Sequence, residues 1–389
     1  MTNRNAFISI CAVGFFAIFS STMSKNPVLP LFAKRLGASA VDIGFIASAS
    51  TVVGIIASLP AGALSDIWGR RRVIVLAGLV FASAPFLYLV VATPWQLAII
   101  RIYHGLATAV FGPVALALIA DMFRDRRGET MGWYSSATLA GRALAPVVGG
   151  YLLYRLTYHA VYVGCGIAGA FALAAAYGLP ATTTSTAAPR SRTLTDLLDG
   201  IASIIRDRGI LLVSAAEAVQ YFAFGAVETF LPLYGLTVGL NALQIGTIFG
   251  AQILTATLMK PLMGRASDRY GRRPLIAAGL IVGAAAAACI PFARGYLALL
   301  PIGVVFGLAL AIVTASTAAL VSELAQAHAY GSALGVMSTI MDTGHASGPI
   351  VTGLIVSRWS YGPAFHLVGA LMAAAAVAVL AFVRGPAQD

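Results

Sequence analysis

Charge is what this chain has least of. Only 10% of its 389 residues are Asp, Glu, Lys or Arg, and the acids number 14 against 25 Lys and Arg. So little charge excludes an ordinary soluble domain. With 59% hydrophobic residues and a mean hydropathy of +0.88 the chain falls in the membrane class. Cysteine is almost absent: Cys11, Cys165 and Cys289 lie one each in separate apolar stretches with no metal-ligand spacing, and read as small core residues. No phosphate-binding loop, metal-ligand cluster or nucleophile elbow occurs, so no enzyme, cofactor or metal is expected. The net charge of +11 has no soluble basic domain to sit on, which excludes nucleic acid as a partner.

Long apolar runs are what the chain does have. A span needs roughly 20 apolar residues. Twelve blocks qualify, near 7–34, 43–64, 73–92, 95–120, 130–153, 161–179, 211–234, 242–263, 274–292, 296–323, 332–357 and 362–383. The first contains Gly14, Ser20, Lys25 and Pro27 and lacks a small-residue cleavage site, so it reads as a retained helix rather than a signal peptide. The polar interval at 180–210 reads as a cytoplasmic linker between an N-terminal bundle, 1–179, and a C-terminal one, 211–389. The expected fold is an all-α membrane protein with twelve transmembrane helices in two pseudo-symmetric six-helix bundles.

The pseudo-symmetry is written in the sequence. "AGALSDIWGRRR" at 61–72 is repeated as "MGRASDRYGRRP" at 263–274, an offset of 202 residues between Asp66 and Asp268. "VLPLF" at 28–32 pairs with "FLPLY" at 230–234, "VDIGFI" with "LQIGTI", and "ALIAD" ending at Asp121 with "ALVSE" ending at Glu323. After one extra residue "GRALAPVVGG" at 141–150 pairs with "GHASGPIVTG" at 344–353. Parallel six-span repeats are an arrangement in which a substrate site is exposed alternately by rocking. Short cytoplasmic loops retain Lys and Arg. With both termini cytoplasmic, sixteen basic residues fall inside, five outside (Lys34, Arg35, Arg155, Arg294, Arg358) and four within spans (Lys25, Arg101, Arg142, Lys260).

These motifs resemble those of the major facilitator superfamily over essentially the whole chain, and in detail its twelve-helix drug–proton antiporters. "GALSDIWGRRR" is similar to the loop signature between spans 2 and 3 at Gly62, Asp66, Gly69, Arg70 and Arg71, with Gly264, Asp268, Gly271 and Arg272 in the second half. The resemblance implies a cytoplasmic latch in which the arginines reach acids ending spans 4 and 10, Asp121 and Glu323. That Arg71 and Arg72 only anchor the topology and touch lipid headgroups is the competing reading. "LAIIRIYHGLATA" at 97–109 is similar to the span-4 signature at Arg101 and Gly105, and implies that Arg101 gates or couples protons; a structural ion pair or snorkelling is the alternative. "GRALAPVVGG" resembles the antiporter signature of span 5 through Gly141, Arg142, Pro146, Gly149 and Gly150, departing at Ala145. Small residues there permit close helix packing, and the signature implies export by exchange.

Polar residues inside spans are candidates for function. Lys25, Arg101 and Arg142 lie in the first half, whereas Glu217, Glu228, Asp342 and His345 lie in the second. Eleven residues, close to three turns, separate Glu217 from Glu228, which places them on one face with Gln220 and Phe224 between. Lys25 and Glu228 occupy nearly equivalent depths, so one reading is a neutralising pair. Asp342 and His345 are spaced to share a proton. The sharper reading splits the roles. Lys25, Asn26, Arg142, Gln220, Tyr221, Phe224 and Glu228 bind substrate, and Arg101, Glu217, Glu228, Asp342 and His345 couple protons. Tyr103, Trp133 and Tyr134 are further candidates for apolar walls. No acid stands in the membrane part of the first four spans, which favours neutral, zwitterionic or anionic amphipaths over quaternary cations. The expected protein is thus a monomeric, multi-pass cell (inner) membrane transporter, with lipid, protons and a small molecule as partners. It would act in proton-coupled multidrug efflux by antiport, the alternative being a proton symporter or facilitator of an organic anion.

Overall fold

The computed structural model describes residues 3–180, 206–325 and 330–383, without the side chains of 3, 58–64, 66, 124, 330 and 331. Most of the linker assigned to 180–210, and the side chain of Asp66, therefore lie outside the described residues. Every regular element described is helical. The first span is α1 (Asn3–Lys25) continued, after a break at Asn26 and Pro27, by α2 (Val28–Arg35). Then come α3 (Ala40–Trp68), α4 (Arg70–Leu87), α5 (Pro94–Met122), α6 (Arg127–Arg155) and α7 (Tyr158–Tyr177). The second half holds α8 (Arg208–Thr237), α9 (Ala242–Tyr270), α10 (Arg272–Cys289), α11 (Tyr296–Leu324), α12 (Tyr330–Arg358) and α13 (Tyr361–Phe382). With α1 and α2 as one, these are twelve spans.

Ten spans are long and apolar enough to cross a membrane by length and composition alone. The fifth and eleventh, α6 and α12, are not among them. They carry Arg142 in one case and Asp342 with His345 in the other, amid Ser, Thr and Gly, which lowers their hydropathy.

Turns are set by local chemistry. Ser39 caps α3 in a reciprocal box with Asp42, its Oγ accepting the Asp42 N–H at 3.2 Å while Asp42 Oδ2 accepts the Ser39 N–H at 3.0 Å. Thr93 and Gln96 do the same at α5. Gly69 and Gly271 join α3 to α4 and α9 to α10 with φ of +88° and +90°, a left-handed geometry that only glycine adopts without strain.

The chain divides by contacts into two compact units, Met1–Thr186 with Gly235–Gly250, and Ala187–Tyr234 with Ala251–Asp389. In the first unit α1 packs on α6 and α7, α3 on α5, and α4 on α5 and α7, around Phe81, Phe111, Tyr88 and Tyr162. A Cβ at Gly141 of α6 would lie 2.6 Å from the Phe15 carbonyl of α1, and one at Gly149 would lie 2.9 Å from Met23. A Cβ at Gly150 would lie 2.5 Å from the carbonyl of Ala242, which belongs to the same unit. In the second unit α10 packs on α11 and α13. Gly344 and Gly348 of α12 abut the carbonyls of Ala218 and Phe222 on α8 too closely for any Cβ. Without a hydrophobic drive between helices in lipid, such backbone approach is a main source of packing energy.

Candidate functional site

The loop motifs close into ion pairs inside each unit. In the first, Arg70 Nε lies 2.5 Å from Asp121 Oδ2. In the second, Arg272 reaches Glu323 Oε1 at 2.8 Å through Nη2 and 2.9 Å through Nε, pairs with Asp268, and donates to Ser267 Oγ at 3.1 Å. Gly264 has open space around it. The next arginine does something else. Arg71 donates to the carbonyl of Tyr177, at the end of α7, at 2.8 Å, and Arg273 donates to the carbonyl of Val379, near the end of α13, at 3.3 Å. Each motif thus sends one guanidinium to an acid and its neighbour to the sixth span of its own half. The repeat of Arg71 at Arg273 was the sequence signal for this second strut.

The second unit carries a buried polar line on α8. Glu217 is 4% exposed and contacts Thr317 Oγ1 of α11 at 2.7 Å. One turn on, Gln220 is wholly buried, with neither amide atom partnered among the described residues. Glu228 is 6% exposed, and its Oε2 lies 3.2 Å from His345 Nε2 on α12. Tyr221 and Phe224 place their rings 6.1 Å and 5.7 Å from the imidazole, so the acid–histidine pair sits in an aromatic surround. The hydrogen-bonding contact of His345 is with Glu228, while Asp342, half-buried, interacts with the imidazole electrostatically and makes no hydrogen bond or ion pair among the described residues.

In the first unit Lys25 is half-buried, Asn26 buried and Arg142 exposed. The offset that carries Phe15 to Ala218 and Gly141 to Gly344, the same close contact in each unit, also carries Lys25 to Glu228 and Arg142 to His345. Two cations thus occupy the positions at which the other half holds an acid and a histidine. Arg101 is 3% exposed; its Nη2 donates to Ser50 Oγ at 2.5 Å and its Nε has no hydrogen-bond partner among the described residues. One turn on, His104 is buried 3.5 Å from the Tyr88 hydroxyl, and Tyr88 stacks on Tyr162 with centroids 4.4 Å apart. Sequence reasoning missed His104, Tyr88 and Tyr162, although His104 stands three residues after Arg101. Tyr134 packs on Gly14, Tyr103 shares a hydrogen bond with Ser83 at 2.9 Å, and Trp133 is exposed. Among the described residues no cluster of His, Cys, Asp or Glu is fit to hold a metal.

Two like bundles, each with an arginine–acid loop pair and a polar face on its spans, define a membrane carrier. The sequence profile of the Major Facilitator Superfamily matches residues 10–251 and 213–389, and the chain belongs to that superfamily of transporters, not to an enzyme family. Among its relatives, multidrug resistance protein 1 of Bacillus subtilis is 25% identical over 365 residues, 91% of each chain. The quinolone resistance protein NorA of Staphylococcus aureus is 23% identical over 382 residues, 97% of this chain and 96% of that one. The crystal structure of the nucleoside transporter NupG shares the fold with a TM-score of 0.81 at 15% identity, covering 98% of this chain and 100% of that one.

Proposed function

We propose that this transporter exports small amphipathic organic compounds in exchange for protons, by alternating access of the halves 1–179 and 211–389. It would work as a monomer in a cell (inner) membrane with both termini cytoplasmic. The observation that carries this reading is the Glu228–His345 contact at 3.2 Å inside one unit. A carboxyl beside an imidazole holds zero, one or two protons at little geometric cost, and their buried setting makes each proton's presence matter to a neighbouring ligand. Lys25 and Arg142, at the equivalent positions of the first half, would attract the anionic or polar end of a substrate. Tyr221 and Phe224 would meet its apolar part. A proton can drive export only if it and the substrate favour different states, so the coupling rests on differential binding. The resistance relatives from Bacillus and Staphylococcus support export as the direction.

Arg70–Asp121 and Arg272–Glu323 would hold the cytoplasmic ends in one of the two states. A symporter or facilitator of an organic anion is the second reading, favoured by the two cations at the Glu228 and His345 positions. The test uses proteoliposomes containing purified protein, loaded with matched anionic, zwitterionic and cationic fluorescent amphipaths, under an imposed pH gradient of either sign. Efflux accelerated by protons entering from the opposite side supports antiport. Anion movement in the same direction as the proton replaces it with symport, and flux indifferent to pH removes coupling altogether.

A further inference from the structure

The latch loop of the first half contains more than the latch needs. Beside it, between α3, α4 and α7, lies a cavity of about 520 Å³ lined by Trp68, Arg71, Arg72, Val75, Leu76 and Tyr177. That volume is within the range of small-molecule sites. Its chemistry is graded along α4: two guanidinium groups at 71 and 72, then aliphatic side chains at 75 and 76, one turn or about 5 Å deeper. Trp68 and Tyr177, 49% and 57% exposed, flank it with rings that suit a membrane interface.

The arginines have donors to spare. Arg71 uses one nitrogen on the Tyr177 carbonyl, and its Nε is buried without a partner among the described residues. Arg72 is exposed and makes no hydrogen bond or ion pair among the described residues. Among the described residues no carboxylate lines the cavity.

The second half is an internal control. There the strut survives as Arg273 to Val379, yet Tyr270, Pro274, Ala277, Ala278 and Val379 stand where the first half has Trp68, Arg72, Val75, Leu76 and Tyr177. The second half therefore closes its bundle with two arginines rather than three and without this lining. Those residues answer to something outside the bundle.

We propose that this cavity is a site for an anionic glycerophospholipid, with Arg71 and Arg72 on the phosphate, Trp68 and Tyr177 at the glycerol level, and the first acyl carbons along Val75 and Leu76. Guanidinium groups match phosphate oxygens in a bidentate fork, and a basic pocket between spans is the expected form of such a site. A soluble phosphate would satisfy the arginines but leave the aliphatic floor uncovered, so the gradient from charge to hydrocarbon selects the lipid. The inference needs neither the coupling nor the direction proposed above.

The experiment counts phosphatidylglycerol and phosphatidylcholine retained by the purified full chain after controlled delipidation, by native mass spectrometry. It compares wild type with Arg72→Gln, Arg72→Gln/Trp68→Ala, and Arg358→Gln as a charge-matched control at the end of α12. Wild type should retain phosphatidylglycerol over phosphatidylcholine by about tenfold, falling to threefold or less in Arg72→Gln and to parity in the double variant, with Arg358→Gln unchanged. Thermal unfolding in lipid-free detergent verifies that each variant is folded. Inorganic phosphate and glycerol 3-phosphate, at millimolar concentration, should leave the unfolding temperature where it was. Undiminished preference in folded Arg72→Gln overturns the site. An equal loss in Arg358→Gln overturns it in favour of general basic attraction, and stabilisation by inorganic phosphate equal to that by the lipid overturns it in favour of a free-anion site.

Discussion

Replacing Thr317 with valine tests the polar line of α8 where its chemistry is most constrained. Thr317 Oγ1 lies 2.7 Å from Glu217 Oε2 and 2.9 Å from the carbonyl of Val313, but a hydroxyl has one proton to give. Both contacts are satisfied together only when Glu217 is protonated and donates to the hydroxyl, which passes its own proton to Val313. Thr317→Val keeps the shape and deletes the hydroxyl. Hydrogen bonds between spans average roughly 0.6 kcal/mol and reach about 1.7. Glu217 is 4% exposed and has Thr317 as its one hydrogen-bond partner among the described residues. Leaving such a group unsatisfied adds about 1–3 kcal/mol. We therefore expect a loss of about 2 kcal/mol, close to thirtyfold in the unfolding equilibrium. Thr317→Ser keeps the bond and loses one methyl, for about 0.8 kcal/mol. Glu217→Gln, whose amide donates to the hydroxyl, should be neutral or stabilising. The assay is equilibrium unfolding of the purified protein in mixed micelles. A loss under about 0.5 kcal/mol in Thr317→Val, or serine as costly as valine, refutes the reasoning.

Glu228→Gln and His345→Asn should each abolish pH-driven accumulation in proteoliposomes while substrate binding, read by thermal shift, falls no more than threefold; coupling retained in both variants removes the pair from the proton path. Arg272→Gln should cost under about 1 kcal/mol of stability, since its ion pairs are partly exposed, yet change the accessibility of single cysteines to a membrane-impermeant maleimide; unchanged labelling with unchanged transport ends the latch assignment. Gly344→Ala, whose Cβ has no room beside the Ala218 carbonyl, should lower stability by about 1–3 kcal/mol, and Gly264→Ala, in open space, by well under 1; equal effects in unfolding experiments contradict the packing account.

What the sequence made legible was whatever repeats or alternates. The paired motifs at Asp66 and Asp268 announced two like bundles, and Arg70 and Arg272 meet Asp121 and Glu323 as the doubled spacing implied. Two of the twelve spans were visible as apolar blocks yet fall short on hydropathy once helix ends are known, because α6 and α12 spend their composition on small and polar residues. Partners across space were not legible. The i, i+3 spacing offered Asp342 to His345, but an imidazole on α12 can also reach across to α8, and Glu228 is where it points. His104, Tyr88 and Tyr162 come from three separate segments, and no spacing rule brings them together.

The two polar spans bear on how the protein is made. A helix centred on an arginine or an acid is a poor candidate for insertion on its own, at about 2.5–3.5 kcal/mol for such a residue. In this chain α6 follows α1, whose backbone receives Gly141, and α12 follows α8, whose backbone receives Gly344 and Gly348. During synthesis each reluctant helix therefore leaves the ribosome after the helix it packs on. The order of helices within each half is thus also an order of assembly, with the docking surface laid down first and the polar helix arriving second.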